Sequence, residues 1–173
     1  EHGERTDTKY KCNIQNGIAD LTQVGDYVFE HWKNVSLFGC SLGVFFSLHA
    51  YRNRHFDNCL FQSPIVNMEY LICQMFLWFH ITEDELKRKG EISTPIDTMS
   101  WPYYLYVKEH PIDKWIPATH ILYGSKDNLQ SREVIDSFVN KYHCHLTVAE
   151  NSEHPFMGEN DKEIVEEWMK NSL

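Results

Sequence analysis

Apolar residues recur every three to four positions through "GIADLTQVGDYVFEHW" (17–32), at Ile18, Leu21, Val24, Val28 and Trp32, and that spacing predicts an amphipathic helix. A short apolar run, "VSLF" (35–38), ends at Gly39, and "LGVFFSLHAY" (42–51) is apolar enough for a buried helix. "NCLFQSP" (58–64) reads as a short buried strand stopped by Ser63-Pro64, and "THILYGSKD" (119–127) and "CHLTVAEN" (144–151) read as two more. Between these last two, "SREVIDSFVNKY" places Ile135, Phe138, Val139 and Tyr142 on one helical face. The chain closes on "NDKEIVEEWMKNSL", where Asn160 followed by Glu163 forms a capping-box start and Ile164, Val165 and Trp168 form the apolar face.

Short strands alternating with longer helices imply βαβ units and a parallel sheet, so the expected class is α/β. The stretch 65–117 breaks that rhythm. It predicts three helices, near 68–80, from a Thr82/Glu85 capping box to Gly90, and after Ser100, with no convincing strand. A helical insertion between two strands of one sheet is expected to be a lid or cap, with extra scaffold helices as the alternative. The organisation expected is therefore a core of 1–64 and 118–173 carrying a cap at 65–117.

The chain has 173 residues, 42% of them hydrophobic and 14% aromatic, which suits one well-cored domain and excludes a disordered one. Its longest apolar stretch, "YLICQMFLWF" (70–79), falls well short of the roughly 20 residues that span a bilayer, so no membrane span is expected. A net charge of −9 without a basic stripe argues against a nucleic-acid partner. The basic cluster "LKRKG" (86–90) follows "TEDE" and reads as a solvated helix end. Five cysteines (Cys12, Cys40, Cys59, Cys73, Cys144), odd in number and without CxxC spacing, point to free thiols in a reducing compartment, hence a cytoplasmic location. "EHGERTDTKY" opens the sequence as a polar stretch without an initiator methionine, so no signal peptide is expected in it.

Ligands of a parallel sheet gather at the carboxyl ends of its strands, and the residues found there form a chemical set. Gly39-Cys40-Ser41-Leu42-Gly43 follows the first strand, Asp127 follows "HILYG", and His154 follows "LTVAE". A serine hydroxyl needs an imidazole to take its proton, and the imidazole needs a carboxylate to fix its tautomer. Gly39 and Gly43 are expected to relieve collisions at a tight strand-to-helix turn around Ser41. The helix starting there points its amides toward Ser41, which makes the backbone N–H of Leu42 the natural oxyanion donor. Other readings compete: Asp127 in "GSKDN" also suits a turn, Glu150 and Glu153 are substitute acids, and Cys40 is a packed thiol or a rival nucleophile. His143 with His145, and His49 with His55, lack a familiar ligand set, so neither a metal nor any other cofactor is implied.

Taken together, "GCSLG", "HILYGSKDNL", "ENSEHPF" and the insertion at 65–117 resemble the α/β-hydrolase superfamily. The likeness is to its bacterial esterases, monoglyceride-lipase-like enzymes and serine-aminopeptidase-like hydrolases with a helical cap, and it covers essentially the whole chain. It implies Ser41 as nucleophile, Asp127 as orienting acid and His154 as general base. The departure is at the front, where only 40 residues precede Ser41. "EHGER" looks like the family's stretch just before the helix that leads to the elbow, so the first four strands and the second oxyanion donor are expected to be absent. That leaves the strand at 35–38 as an unprotected edge, to be covered by a missing N-terminal segment or by another chain, including a second copy.

The activity expected is cleavage of a carboxylic ester through an acyl-enzyme. An aminopeptidase-like amidase is the alternative within enzymes, and an incomplete, non-catalytic module that binds a partner is the alternative outside them. Aromatic residues of the insertion (Tyr70, Phe76, Trp78, Phe79, Trp101, Tyr103, Tyr104) suggest a small substrate with an apolar acyl or aromatic group, or equally a cap packed on itself.

Overall fold

A computed structural model describes residues 13–172. Cys12 and the "HG" of "EHGER" therefore lie outside the described residues. The Asn13 side chain accepts the Asn16 amide at 2.9 Å and starts helix α1, Ile14–His31, earlier than the apolar periodicity indicates. The buried line of α1 runs through Ile14 and Gly25, while Val24 and Trp32, expected on the apolar face, are more than half exposed. The cause is Tyr51, whose ring stands so close to Gly25 that a Cβ there would lie 2.6 Å from it. The Tyr51 hydroxyl donates to the Leu21 carbonyl at 2.8 Å, which turns that side of the helix inward.

Strand β1 (Ser36–Cys40), helix α2 (Leu42–Ala50) and strand β2 (Asn58–Gln62) follow. The next elements are α3 (Met68–Trp78), α4 (Glu83–Lys89), β3 (Glu91–Ser93), β4 (Thr98–Ser100) and α5 (Trp101–Glu109), and then β5 (Thr119–Gly124), α6 (Arg132–Tyr142), β6 (His145–Ala149) and α7 (Asp161–Ser172). The chain divides into two compact units: Asn67–Asp113, and the described residues on either side of it. Within Asn67–Asp113, Asn67 and Thr82 cap α3 and α4 as N-caps, the Tyr104 hydroxyl donates to Glu83 at 3.1 Å, and the Tyr104 ring meets the Phe76 ring edge-on. The expectation of an all-helical insertion is corrected here, because β3 and β4 form an antiparallel hairpin pairing Ile92 with Met99. Strands of three residues are too short to show a period-two pattern in sequence.

In the other unit the strands form one parallel sheet in the order β1-β2-β5-β6. Leu60, Leu122 and Ala149 share one face and bury themselves with Phe156 and Trp168, against which Ile164, Val165 and Met169 also pack. Phe38 pairs in register with Leu60 at the sheet's edge and is 50% exposed. All the strands run in one direction, so Cys40, Gln62, Gly124 and Ala149 end at the same rim. Among the described residues, no helix is long and apolar enough to cross a membrane.

Candidate active site

At the rim, β1 turns into α2 through Ser41, whose φ of 51° and ψ of −124° lie in a sparsely populated region for a side-chain-bearing residue. Backbone hydrogen bonds hold it there: its N–H donates to the Gln62 carbonyl at 3.1 Å, and its carbonyl accepts from Val44 at 3.1 Å and Ile65 at 3.2 Å. Gly39 is required by space, since a Cβ would meet Cγ2 of buried Val44 at 2.9 Å. The same expectation for Gly43 is not met. Nothing among the described residues lies within 4 Å of a Cβ at Gly43, which faces outward on the first turn of α2. Leu42 opens α2, where first-turn amides have no intrahelical acceptor and the helix dipole is positive, so its N–H is a donor beside Ser41.

The loop after β6 carries His154 to this turn. Its Nε2 lies 2.7 Å from Ser41 Oγ, across 113 residues of sequence, and its Nδ1 lies 2.9 Å from Asp127 Oδ2. The other carboxylate oxygen, Oδ1, accepts the amides of Leu129 at 2.8 Å and Gln130 at 3.3 Å. Asp127 is buried, with a side chain only 1% exposed against 9% for His154. A buried carboxylate is retained where it is hydrogen-bonded, and these contacts also fix its direction toward the imidazole. Ser41, His154 and Asp127 therefore stand in one hydrogen-bonded chain. Glu150 and Glu153 are exposed, and Asp127 is the carboxylate on His154. Cys40 is half-buried, and burial pushes its thiol above the usual range, which disfavours the thiolate a nucleophile needs. Among the described residues, no group of three or more His, Cys, Asp or Glu side chains could hold a metal ion.

Several supports of this arrangement were not singled out in the sequence. The Gln62 side chain donates to the Pro155 carbonyl at 2.8 Å, next to His154. Asp161 accepts the Ser152 hydroxyl and the Gly158 amide, both at 2.7 Å, tying together the two limbs of the histidine loop. Fully buried Gln130 accepts the Val66 amide through its side chain at 3.1 Å, so the acid loop is anchored to the segment after β2. Gly124 lies so close to this loop that a Cβ would sit 2.4 Å from the Ser152 carbonyl oxygen. A polar residue ending an otherwise apolar strand, as in "NCLFQS", was the available signal for Gln62.

No family model matches the sequence, and no curated protein matches it. Solved structures do match. Est1E from Butyrivibrio proteoclasticus, in a structure with ferulic acid bound, is similar at a TM-score of 0.77 and 17% identity, over 99% of this chain and 73% of that one. Mouse alpha/beta hydrolase domain-containing protein 10 is similar at 0.73 and 16%, over 98% and 72%. E-2-(acetamidomethylene)succinate hydrolase is similar at 0.63 and 12%, over 99% and 77%. At such identities the likeness is one of architecture, and with the parallel sheet and the turn at Ser41 it establishes that this chain has the α/β-hydrolase fold.

Proposed function

We propose that this chain is a serine hydrolase that cleaves a carboxylic ester through an acyl-enzyme. The observation that carries the reading is the hydrogen-bonded chain from Ser41 Oγ through His154 to Asp127. In the proposed reaction, Ser41 Oγ attacks the acyl carbon as its proton passes to His154 Nε2, and the carbonyl electrons move onto oxygen. The Leu42 amide donates to that oxyanion, while Asp127 keeps Nδ1 protonated and stabilises the imidazolium. Collapse breaks the ester C–O bond, and His154 returns the proton to the leaving alkoxide. Water then repeats the sequence against the acyl-enzyme and releases the acid.

An aromatic or apolar acyl group is the proposed substrate class. Est1E, with ferulic acid bound, supports it, as does the aromatic content of Asn67–Asp113, which is proposed to serve as a cap. An amidase reading is favoured by one neighbour, named for an acetamido-bearing substrate. Comparing p-nitrophenyl butyrate with aminoacyl p-nitroanilides separates the two. A fluorophosphonate probe is expected to label the chain at Ser41, and Ser41→Ala to abolish labelling and turnover together. An unlabelled Ser41 in the folded chain would overturn the reading.

A further inference from the structure

Gln62 touches both halves of the candidate site. Its backbone carbonyl accepts the Ser41 N–H at 3.1 Å, and its side-chain amide donates to the Pro155 carbonyl at 2.8 Å. We infer that Gln62 is a positioning residue that sets the His154 ring relative to Ser41, an inference that rests on the serine-hydrolase reading above. The histidine loop has a second anchor close by, since Phe156 is buried with Leu60 and Leu122. Gln62 lies two residues beyond Leu60 on β2 and pairs in register with Leu122, so both anchors belong to the same sheet face. They differ in kind. Apolar packing of the Phe156 side chain fixes no angle, and the Phe156 N–H closes the turn onto the Glu153 carbonyl at 2.8 Å, whereas the Gln62 hydrogen bond ties that turn directionally to β2. His154 precedes that peptide, and its Nε2 must lie on the line to Ser41 Oγ in order to receive the proton.

The two hydrogen bonds separate cleanly by substitution. The bond to Ser41 uses the Gln62 backbone and survives any side chain, while the bond to Pro155 is lost with the amide. Gln62→Met keeps length and removes the donor. With p-nitrophenyl butyrate it is expected to lower kcat and the fluorophosphonate labelling rate by about 10- to 100-fold, the scale of a small misplacement of a catalytic group, with KM little changed. Gln62→Glu provides a second readout. Its carboxylate cannot donate to the Pro155 carbonyl but its protonated acid can, so activity relative to the parent chain at each pH is expected to rise as pH falls through the new carboxyl's titration. Packing alone predicts neither the kcat-specific loss nor that pH-dependent ratio. Parental kcat and labelling rate in folded Gln62→Met overturn the inference. If that variant does not fold, a flat ratio for Gln62→Glu overturns it instead. A parent chain unlabelled at Ser41 removes the serine-hydrolase reading and this inference together, whereas a labelled parent with an unaffected Gln62→Met removes this inference alone.

Discussion

Asp127→Asn would keep the size of the acid while changing what it can hold. An amide in that place offers its N–H₂ or its carbonyl to His154 Nδ1, and the wrong choice leaves the imidazole in a tautomer that cannot accept the Ser41 proton. The expected outcome is a fall in kcat of up to about 10⁴-fold with the fold intact, read by ester turnover beside thermal unfolding. The glycines at the turn make a paired prediction. Gly39→Ala drives a Cβ to 2.9 Å from Val44 Cγ2 and should destabilise by about 1–3 kcal/mol, with Val44→Ala partly restoring stability in the double variant. Gly43→Ala meets open space on a helix and should stabilise by about 0.4–1 kcal/mol. Urea unfolding of the three variants checks both. At this scale Ser41, Asp127 and His154 were legible, because a strand-to-helix GxSxG and the Ser…Asp…His order are local or ordinal features. The different fates of Gly39 and Gly43 were not, because they depend on which atoms face each glycine.

Elements carry the loops that carry the site. The loop from β6 to α7 is folded back by Asp161, whose two carboxylate oxygens take the Ser152 hydroxyl and the Gly158 amide. Asp161→Ala leaves both donors without their acceptor, Ser152 in a buried position, and should cost about 1–3 kcal/mol for each donor left unpaired. Amide hydrogen exchange is expected to quicken at Gly158 before the sheet opens, and unchanged exchange there would contradict this role. Helices were legible where caps and period agree, as at Thr82 before α4. The inward side of α1 was misread, because hydropathy ranks Val24 and Trp32 above a glycine. Tyr51 on another element selects Gly25 instead. The β3–β4 hairpin escaped because its strands are shorter than one readable alternation.

Across the whole molecule, β1 stands at one edge of the sheet and, among the described residues, pairs only with β2. Phe38 is half exposed on that edge strand, and Val24, Tyr27 and Trp32 of α1 are exposed too. An apolar edge strand invites pairing, so we propose that another strand, from this polypeptide or a second copy, covers β1. Residues 1–173 should associate with rising concentration in sedimentation velocity, and Phe38→Lys should weaken that association, since a charge on an edge strand opposes strand addition. A concentration-independent monomer that Phe38→Lys leaves unchanged would refute pairing with a second copy. By itself the sequence determined the α/β class and named Ser41, Asp127 and His154 as candidates, because periodicity, caps and strand-end motifs act over a few neighbouring positions. Tertiary structure alone decided that His154 meets Ser41 from 113 residues away and that Gln62 bonds both Ser41 and Pro155. Those relations follow from strand order and register, which local patterns limit but do not specify.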